Sequence, residues 1–343
     1  MSAPLVLLPE ASAATGLGHF VRTCSLGDHA AARGRPVEVV LRPDALPWAH
    51  AQVRERGWPV RVCEWSSRGL LGRGGARAHV CVDSYRVDGP WLTQLAGQAG
   101  ALLVVDDLAD RRFTADVLLN QNLSARASSY LDVRPVRLIL GPRYALLRPG
   151  FARVRARLVD ERGRVAIAPD VPGRVLVVMG GTDAAGITAT VTAGVVQALP
   201  AAAVRAVVSS PEARTAVESI ALPGPGRLQV VDRNPRVDWL MARADLVVTA
   251  GGTTLWELCC LGRAIAAVVV ADNQRAGVRA LVEQGAALDL GEAGTVSAAS
   301  VAAALRPLLD DPGLTARLAN RAVGLTDGRG CERVLDVLDD LDA

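Results

Sequence analysis

Residues 5–41 read LVLLPEASAATGLGHFVRTCSLGDHAAARGRPVEVVL, and this stretch decides the fold. The apolar run Leu5–Leu8 predicts a buried strand, and Val37–Leu41 predicts a second strand. Between them, a small glycine-containing loop leads into a predicted helix that runs from His19 to about Arg33. The order strand, loop, helix, strand is typical of a parallel α/β sheet.

The same rhythm continues through the rest of the chain. Each further apolar run stops in polar or glycine-rich residues, and in open α/β sheets ligands bind at the carboxyl ends of the strands. Three such ends, Asp83-Ser84-Tyr85, Asp106-Asp107 and Asn120-Gln121-Asn122, carry Asp, Tyr and Asn and predict one rim of a ligand cleft. The further predicted strands are His79–Val82, Ala101–Val105, Val117–Leu119, Arg174–Met179, Val204–Ser209, Leu228–Val231, Leu246–Thr249 and Ile265–Val270.

The length of 343 residues predicts two compact domains, because single cores stop growing at roughly 250–300 residues. Half of the residues are hydrophobic, mainly Ala, Val and Leu, which suits parallel strands covered by helices. A stretch around 158–173, with Pro169 and Pro172, is predicted to link the domains. We expect an N-terminal domain over 1–160, a C-terminal domain over 172–325 and a C-terminal helix over 326–343.

Composition excludes several classes of function. The net charge is +3, and all 38 basic residues are Arg, spread along the chain, so a nucleic-acid partner is not expected. The six Cys form no C-x-x-C pair, which argues against a zinc site or a disulfide framework. The chain contains no stretch of about 18 apolar residues, so membrane insertion is not expected. No basic region of the kind found in signal peptides precedes Leu5–Leu8. We therefore expect a cytoplasmic protein.

The first candidate site is Gly16-Leu17-Gly18-His19, at the start of the first predicted helix. Glycines let a ligand approach the backbone, and free N–H groups at a helix N-terminus favour anions. A neutral imidazole in the first turn could accept a proton, although a purely structural turn is an equal alternative. The motif lacks the G-x-G-x-x-G pattern, and Leu41-Arg42 replaces the expected acidic strand end, so a nicotinamide enzyme is disfavoured.

Two further glycine-rich loops lie in the second half, Gly180-Gly181-Thr182-Asp183 and Gly251-Gly252-Thr253-Thr254. Both place N–H groups and hydroxyls where a phosphate could approach. Neither is a Walker loop, because the chain has no Lys. Glu257 follows the second loop and has two interpretations. Its carboxylate could accept hydrogen bonds from a ribose diol, or it could form a capping box with Thr254 as the cap, which the sequence favours slightly.

Asp106-Asp107 could suggest a metal pair. Adjacent residues of a strand point to opposite faces, so both cannot easily hold one ion, and hydrogen-bonding or structural roles are preferred. We expect neither a metal nor an organic cofactor. The Trp residues, including Trp91 and Trp239, are interpreted as core residues or helix anchors.

With these residues in place, the chain resembles the nucleotide-sugar hydrolase of pseudaminic acid biosynthesis, which removes UDP from UDP-2,4-diacetamido-2,4,6-trideoxy-β-L-altropyranose. It is also similar to the related spore-coat polysaccharide (SpsG-like) proteins. The matching blocks run in order over about residues 5–290. They are Gly16–Arg22, Asp83-Ser84-Tyr85 with Trp91, Val105–Arg111, Leu140–Arg148, Gly180–Asp183, Ala250–Glu257 and Ala271-Asp272-Asn273-Gln274.

The resemblance implies a GT-B fold, in which two Rossmann-like parallel-sheet domains face each other across a cleft. It implies that the loop and helix over 250–257 hold UDP. It implies that His19 is the base that activates a nucleophile, with Tyr85 nearby. It further implies that Asn273 and Gln274 contact the sugar or its phosphate.

One departure concerns the end of the first strand. Members of the family usually have an Arg-x-Asp-Ala-Ser-like stretch where this chain has Leu8-Pro9-Glu10-Ala11-Ser12. The Arg is missing and the Asp is replaced by Glu10, so the sugar or the acceptor is expected to differ.

Three functions remain open. The first is hydrolysis of a UDP-sugar with inversion, in which water is the nucleophile. The second is an inverting glycosyltransferase that moves the sugar to a small acceptor, such as a nucleobase or a natural-product precursor. The third is a binder of nucleotide sugars without catalysis, against which His19 and Tyr85 argue.

Overall fold

The structure is a computed structural model that describes residues 3–12, 15–65, 70–71, 78–130, 133–160, 163–165, 169–232 and 236–342. The chain forms two compact units. The first comprises Met1–Pro149 together with Gly328–Ala343, and the second comprises Gly150–Asp327. The division therefore falls ahead of the stretch 158–173. Among the described helices, none is long and apolar enough to cross a membrane.

The first unit is built on a parallel sheet of seven strands in the order β3-β2-β1-β4-β5-β6-β7. The predicted strand–loop–helix–strand unit at its start is confirmed, with the first strand aligned beside the second from Leu5↔Val37. The elements of this unit are β1 (Leu5–Pro9), α1 (Gly18–Ala32), β2 (Val37–Leu41), α2 (Pro47–Glu55), β3 (Val60–Val62), β4 (His79–Asp83), α3 (Gly89–Ala96), β5 (Ala101–Val105), β6 (Thr114–Asn120) and β7 (Arg134–Leu140).

Both faces of this sheet are buried, which explains why its central strands are continuous apolar runs. Leu5 and Leu7 of β1 pack on one face beneath α1, where Phe20 is also buried. Val6 and Leu8 point to the opposite face and pack with Leu92 and Leu95 of α3. The alternation of side chains along a strand thus divides the apolar residues between two cores.

The second unit repeats this plan with a parallel sheet of six strands in the order β10-β9-β8-β11-β12-β13. Val175 and Val177 of β8 and Leu246 and Val248 of β11 form part of a core on one face of the sheet, and Leu176 and Val247, which point to the other face, are also buried. The elements are α4 (Pro149–Leu158), β8 (Arg174–Val178), α5 (Thr188–Ala198), β9 (Ala203–Val208), α6 (Pro211–Glu218), β10 (Arg227–Asp232), α7 (Val237–Ala242), β11 (Leu246–Ala250), α8 (Thr254–Leu261), β12 (Ala264–Val269), α9 (Asp272–Glu283), β13 (Leu288–Glu292), α10 (Ala298–Leu305), α11 (Pro307–Asp310) and α12 (Leu314–Val323).

The last helix, α13 (Gly330–Asp339), packs in the first unit although it follows the second unit in the chain. It adds Val334 and Leu338 to the core beneath α1. Gly330 is required at its start, because a Cβ there would lie 2.2 Å from the carbonyl oxygen of Ala145. The docking of α13 therefore depends on close backbone packing as well as on apolar burial.

Three strands were missing from the sequence expectation, namely β3, β7 and β13. All three lie at an edge of their sheet. An edge strand has only one neighbour and buries less of its surface, so its apolar pattern is weak. β13, for example, reads LDLGE and has only one buried residue. The central strands, by contrast, coincide closely with the predicted apolar runs.

Two helical glycines of the second unit provide a matched test of its packing. A Cβ on Gly194 of α5 would lie 2.5 Å from Cβ of Val301 in α10 and 2.7 Å from the carbonyl oxygen of Ala298. Gly194→Ala is therefore expected to lower the free energy of unfolding by about 1–3 kcal/mol. A Cβ on Gly277 of α9 meets nothing within 4 Å, so Gly277→Ala is expected to raise it by about 0.5–1 kcal/mol. Urea unfolding of both variants measures the difference, and equal effects would contradict this account of α5 and α10.

Candidate functional site

The strand order of the first unit reverses between β1 and β4, which are hydrogen-bonded neighbours. In α/β sheets, ligands bind at such a switch point, beyond the carboxyl ends of the strands. His19 lies there as the second residue of α1, and Asp83 lies there as the last residue of β4. The predicted position of His19 in a first helical turn at the sheet edge is thus what the structure shows.

His19 and Asp83 form a buried pair. Nδ1 of His19 lies 2.6 Å from Oδ1 of Asp83, and the two residues are 6 % and 0 % exposed. Because a carboxylate only accepts hydrogen bonds, this contact places a proton on Nδ1. Nε2 forms no hydrogen bond with any residue that the structure describes. In the neutral ring, Nε2 is then the atom that can accept a proton from a ligand.

Arg22 holds this pair in place. It lies one turn after His19 on α1, and its Nε and NH2 atoms donate to the two oxygens of Asp83 at 2.6 and 2.7 Å. Thr23 adds a hydrogen bond from its hydroxyl to the same carboxylate. Burial would raise the pKa of Asp83, but the guanidinium of Arg22 and the nearby imidazole hold it well below its usual value. Asp83 is therefore ionised at neutral pH.

The guanidinium of Arg22 also pairs with a second carboxylate, since its NH2 lies 2.8 Å from Oδ2 of Asp107. Asp107 accepts hydrogen bonds from the hydroxyl of Tyr85 at 2.9 Å and from the amide of Asn122 at 2.7 Å. The ring of Tyr85 stands edge-on to the imidazole of His19, with 4.5 Å between the ring centres. The structure thus brings both predicted catalytic residues together through one network.

Asp106, the neighbour of Asp107, faces elsewhere. Its carboxylate accepts from the backbone N–H of Ala109 at 2.9 Å and lies 3.4 Å from NH2 of Arg111. The prediction that the two carboxylates point apart and serve as hydrogen-bond acceptors is confirmed. In the part of the chain that the structure describes, no group of three or more His, Cys, Asp or Glu residues is arranged to hold a metal ion.

The unusual strand end at Glu10 lies beside this network. Glu10 is 1 % exposed, and its carboxylate accepts from the hydroxyl of Ser84 at 2.7 Å and from Arg86 at 3.2 Å. Arg86 also pairs with Asp44 at 2.5 Å. The residue that departs from the family pattern therefore positions a partly exposed guanidinium next to Tyr85.

Gly16 and Gly18 shape the entrance to α1. Gly16 has a φ of +73°, a conformation that side chains rarely adopt, and its N–H donates to the carbonyl of Ser12 at 3.0 Å. Gly18 is the first residue of the helix, and no acidic residue occupies the first turn. Among the described residues, the N–H groups of Gly18 and His19 have no acceptor, so they remain available to an anion.

In the second unit the strand order reverses between β8 and β11, and each strand leads into one of the predicted glycine-rich loops. The first loop carries Gly180, Gly181 and Thr182, all at least partly exposed. Asp183 at its end has a φ of +46°, and its carboxylate accepts from the N–H groups of Ile187 and Thr188, both at 3.1 Å. The N-terminus of α5 is therefore already occupied by a carboxylate of the chain itself.

The second loop behaves differently. The N–H of Gly251 joins the sheet by donating to the carbonyl of Val268, but Gly252, Thr253 and Thr254 find no acceptor for their N–H groups in the described chain. The N-cap of α8 is Thr253, which has helical dihedrals and no side-chain cap hydrogen bond. The N-terminus of α8 is thus open to an anion.

The capping box that the sequence slightly favoured for Thr254 and Glu257 is wrong. Thr254 is inside α8 rather than at its cap, because the preceding Thr253 already has helical dihedrals instead of the extended ones that a capping side chain needs. Glu257 lies in the first turn of α8 and is 7 % exposed.

Gln274 packs against the second loop. A Cβ on Gly251 would lie 3.1 Å from Cβ of Gln274, and Oε1 of Gln274 accepts from the N–H of Val270 at 3.1 Å. Asn273 precedes it in the first turn of α9. Gly251 and Gln274 are thus brought together, at the carboxyl ends of β11 and β12.

The sequence placed Asp83 at the rim of a cleft and gave Asp107 a hydrogen-bonding or structural role, but it did not predict that both pair with Arg22. Two signals could have found them. Asp83 and Asp107 follow apolar strands, and Arg22 is three residues after His19, which places both on one face of a helix. What the sequence could not show is that β4 and β5 lie beside each other, within reach of α1.

No family model matches the chain. A segment of 113 residues is 29 % identical to the spore coat polysaccharide biosynthesis protein SpsG of Bacillus subtilis (strain 168). The segment covers 33 % of this chain and 33 % of that protein. Solved structures match over almost the whole chain. MurG of Acinetobacter baumannii has a TM-score of 0.67 at 16 % identity, covering 98 % of this chain and 99 % of its own. Arabidopsis thaliana UGT89C1, complexed with UDP, has a TM-score of 0.64 at 15 % identity, covering 98 % and 100 %. The fold is therefore that of the GT-B proteins, with two parallel-sheet α/β units.

The charge network makes a prediction for stability. Asp83→Asn removes one of the two carboxylates that pair with the buried Arg22. We expect it to lower the free energy of unfolding by about 3–5 kcal/mol at pH 7. Because folding lowers the pKa of Asp83, its contribution is complete above the unfolded pKa of about 4 and is lost as the pH falls toward the folded pKa. The difference in the free energy of unfolding between wild type and variant should therefore become smaller as the pH falls. Urea unfolding between neutral and acid pH measures it, with the exposed Asp232→Asn as a control that changes little. A difference in the free energy of unfolding that grows in acid would contradict the stabilising role of the ionised Asp83.

Proposed function

We propose that this protein breaks the anomeric C1–O bond of a UDP-sugar, with His19 as the general base. The observation that supports this most is the buried pair of His19 and Asp83 at the switch point of the first sheet, which leaves Nε2 open to a ligand. The likeness to a UDP-bound glycosyltransferase fold supports the choice of nucleotide.

The first step is the activation of a nucleophile. Nε2 of His19 takes the proton from an O–H group while Nδ1 donates to Asp83, which stabilises the imidazolium that forms. The nucleophile's oxygen forms a bond to C1 as the bond between C1 and the diphosphate oxygen breaks. The electron pair of that bond leaves with UDP, and attack from the opposite side inverts the anomeric centre. Tyr85 keeps the imidazole oriented through its edge-on contact.

The second unit supplies the site for the departing diphosphate in this proposal. The free N–H groups of Gly252, Thr253 and Thr254, with the dipole of α8, stabilise the charge that develops on the leaving oxygen. Gln274 borders the loop, and Asn273 contacts the sugar or its phosphate. Glu257, which forms no capping box, accepts from the ribose diol.

Gly180, Gly181 and Thr182 have a narrower role. The carboxylate of Asp183 already occupies the N-terminus of α5, so these residues border the ligand rather than bind its diphosphate. Gly16 and Gly18 let the ligand approach the backbone at α1 in the first unit.

The nucleophile has two candidates. Hydrolysis is the reaction that the resemblance to the pseudaminic acid enzyme implies, and the SpsG match supports that lineage. Transfer to an organic acceptor is favoured by the structural neighbours, among them UGT89C1, which is also known complexed with quercetin.

The deciding experiment is NMR of the purified protein with a panel of UDP-sugars and no acceptor. Stoichiometric release of UDP and free sugar, with the inverted anomer first, identifies a hydrolase. Binding with negligible release identifies a transferase that lacks its acceptor. A protein that neither binds nor cleaves any UDP-sugar would rule out both forms of the proposal.

The role of His19 gives a kinetic prediction. His19→Ala is expected to lower kcat by roughly 10²–10⁴-fold, because general-base catalysis has that value, while the affinity for UDP changes little. His50→Ala, on the exterior helix α2, is the matched control and should keep full turnover. Steady-state kinetics with calorimetry of UDP binding separates the two effects, and full turnover of His19→Ala would remove the base from the mechanism.

The loop at Gly251 gives a prediction for binding. A Cβ there would lie 2.5 Å from Cγ2 of Val278 and 3.2 Å from Oε1 of Gln274, so Gly251→Ala must displace the loop. We expect UDP affinity to fall by about tenfold or more, which corresponds to 1.4 kcal/mol. Gly277→Ala, in the same helix as Gln274, should bind UDP normally. Calorimetric titration with UDP tests both, and unchanged affinity of Gly251→Ala would place the diphosphate elsewhere.

A further inference from the structure

Among the residues that the structure describes, three buried nitrogen donors without a hydrogen-bond partner lie together in the first unit. They are Nε of Arg42, Nε1 of Trp65 and Nε1 of Trp91. Trp65 is 6 % exposed, and Arg42 and Trp91 are partly buried. Burying a donor without an acceptor is unfavourable, so most buried donors in folded proteins are paired.

These three side chains form one cluster. The rings of Trp65 and Trp91 are stacked, with 6.3 Å between their centres and 23° between their planes. The guanidinium carbon of Arg42 lies 5.5 Å from the ring centre of Trp65. Arg42 comes directly after β2, Trp65 follows β3, and Trp91 lies in the first turn of α3, after β4. The cluster therefore stands at the same carboxyl edge of the sheet as His19.

A chain of charged groups connects the cluster with the site already described. Nε of Arg42 lies 4.0 Å from Oδ1 of Asp44, and Asp44 pairs with Arg86. Arg86 is the neighbour of Tyr85, whose ring contacts the imidazole of His19.

The chemistry of the cluster specifies its ligand. Arg and Trp side chains donate hydrogen bonds but do not accept them, so a molecule that satisfies these nitrogens must bring acceptors. Flat indole and guanidinium faces favour a ring over a chain. A ring compound that carries hydroxyl, carbonyl or carboxylate oxygens has both properties. Sugars and hydroxylated aromatic compounds both belong to this class.

We propose that Arg42, Trp65 and Trp91 bind an oxygen-bearing ring compound that serves as the acceptor of the sugar. The assignment as acceptor rests on the proposed UDP-sugar chemistry, whereas the binding of the ring does not. It also changes the sequence interpretation of Trp91 from a helix anchor to a ligand contact. If it is correct, the protein is a transferase rather than a hydrolase.

The test uses the full chain labelled with ¹⁵N. The six Trp residues give six indole N–H signals, which the single Trp→Phe variants assign. N-acetyl-D-glucosamine represents the sugars and 4-hydroxybenzoate the hydroxylated aromatics, and each is titrated with and without UDP. We expect one of the two probes to move the Trp65 and Trp91 signals downfield, as hydrogen bonds form. Which probe does so distinguishes the two kinds of ring.

The matched control is Trp239, an exposed indole of the second unit with two Arg side chains beside its ring, at 5.9 and 5.6 Å. Phe keeps an aromatic ring but removes the N–H, so Trp65→Phe and Trp91→Phe should each weaken the probe's Kd roughly three- to tenfold. Trp239→Phe should leave it unchanged.

Two results would overturn the site. One is that neither probe moves the two signals at its solubility limit, or moves them no more than that of Trp239. The other is that the signals move but the Phe variants keep the wild-type Kd. UDP release from UDP-sugars is followed on the same samples. Release without probe binding keeps the proposed function and rejects the acceptor site. Probe binding without any UDP-sugar binding keeps the ring site and rejects its role as acceptor.

Discussion

The guanidinium of Arg22 lies between two carboxylates in the interior of the first unit, and the arrangement of the candidate centre depends on it. Burying an ion without a counter-ion is costly, so Asp83 and Asp107 must both face the start of α1. That requirement sets the rotation of the helix, and the rotation places the His19 ring against Asp83. The same network holds Tyr85 beside the ring. Because Asp83 accepts a hydrogen bond from Nδ1 of His19, the same network also fixes which nitrogen of the imidazole carries the proton.

The two units use one topology but treat their helix N-termini differently. In each, the strand order reverses once, and in the second unit both strands at that point lead into glycine-rich loops. At α5 the chain fills the helix N-terminus with its own carboxylate from Asp183, and the positive φ of that residue shows how tightly the loop turns to do so. At α8 the N–H groups stay open. An anion that reaches this edge of the second sheet therefore meets one closed helix end and one open one.

Much of the fold follows from local sequence, because the central strands are buried on both faces and read as continuous apolar runs. His19 was found for a related reason, since glycine before a helix start is a local pattern. The edge strands β3, β7 and β13 were not predicted, because a partly buried strand does not form a continuous apolar run. The pairing of Arg22 with Asp83 and Asp107 was not predicted, for another reason. Their contacts join residues about 60 to 85 positions apart, and only the order of strands in the sheet brings them together. The predicted capping box at Thr254 was wrong because Thr253 has helical dihedrals. The sequence Thr-Thr does not reveal which of the two residues precedes the helix.

The packing of α13 has a bearing on the order in which the protein is made. Its apolar residues complete the core beneath α1, and its acidic residues pair with Arg33 and, through Asp342 just after it, with His79. A ribosome synthesises the whole of Gly150–Asp327 before these residues emerge. The second unit can therefore fold on the nascent chain while the first still exposes part of its apolar surface. The half of the molecule that carries His19 is thus begun before the second unit and completed after it.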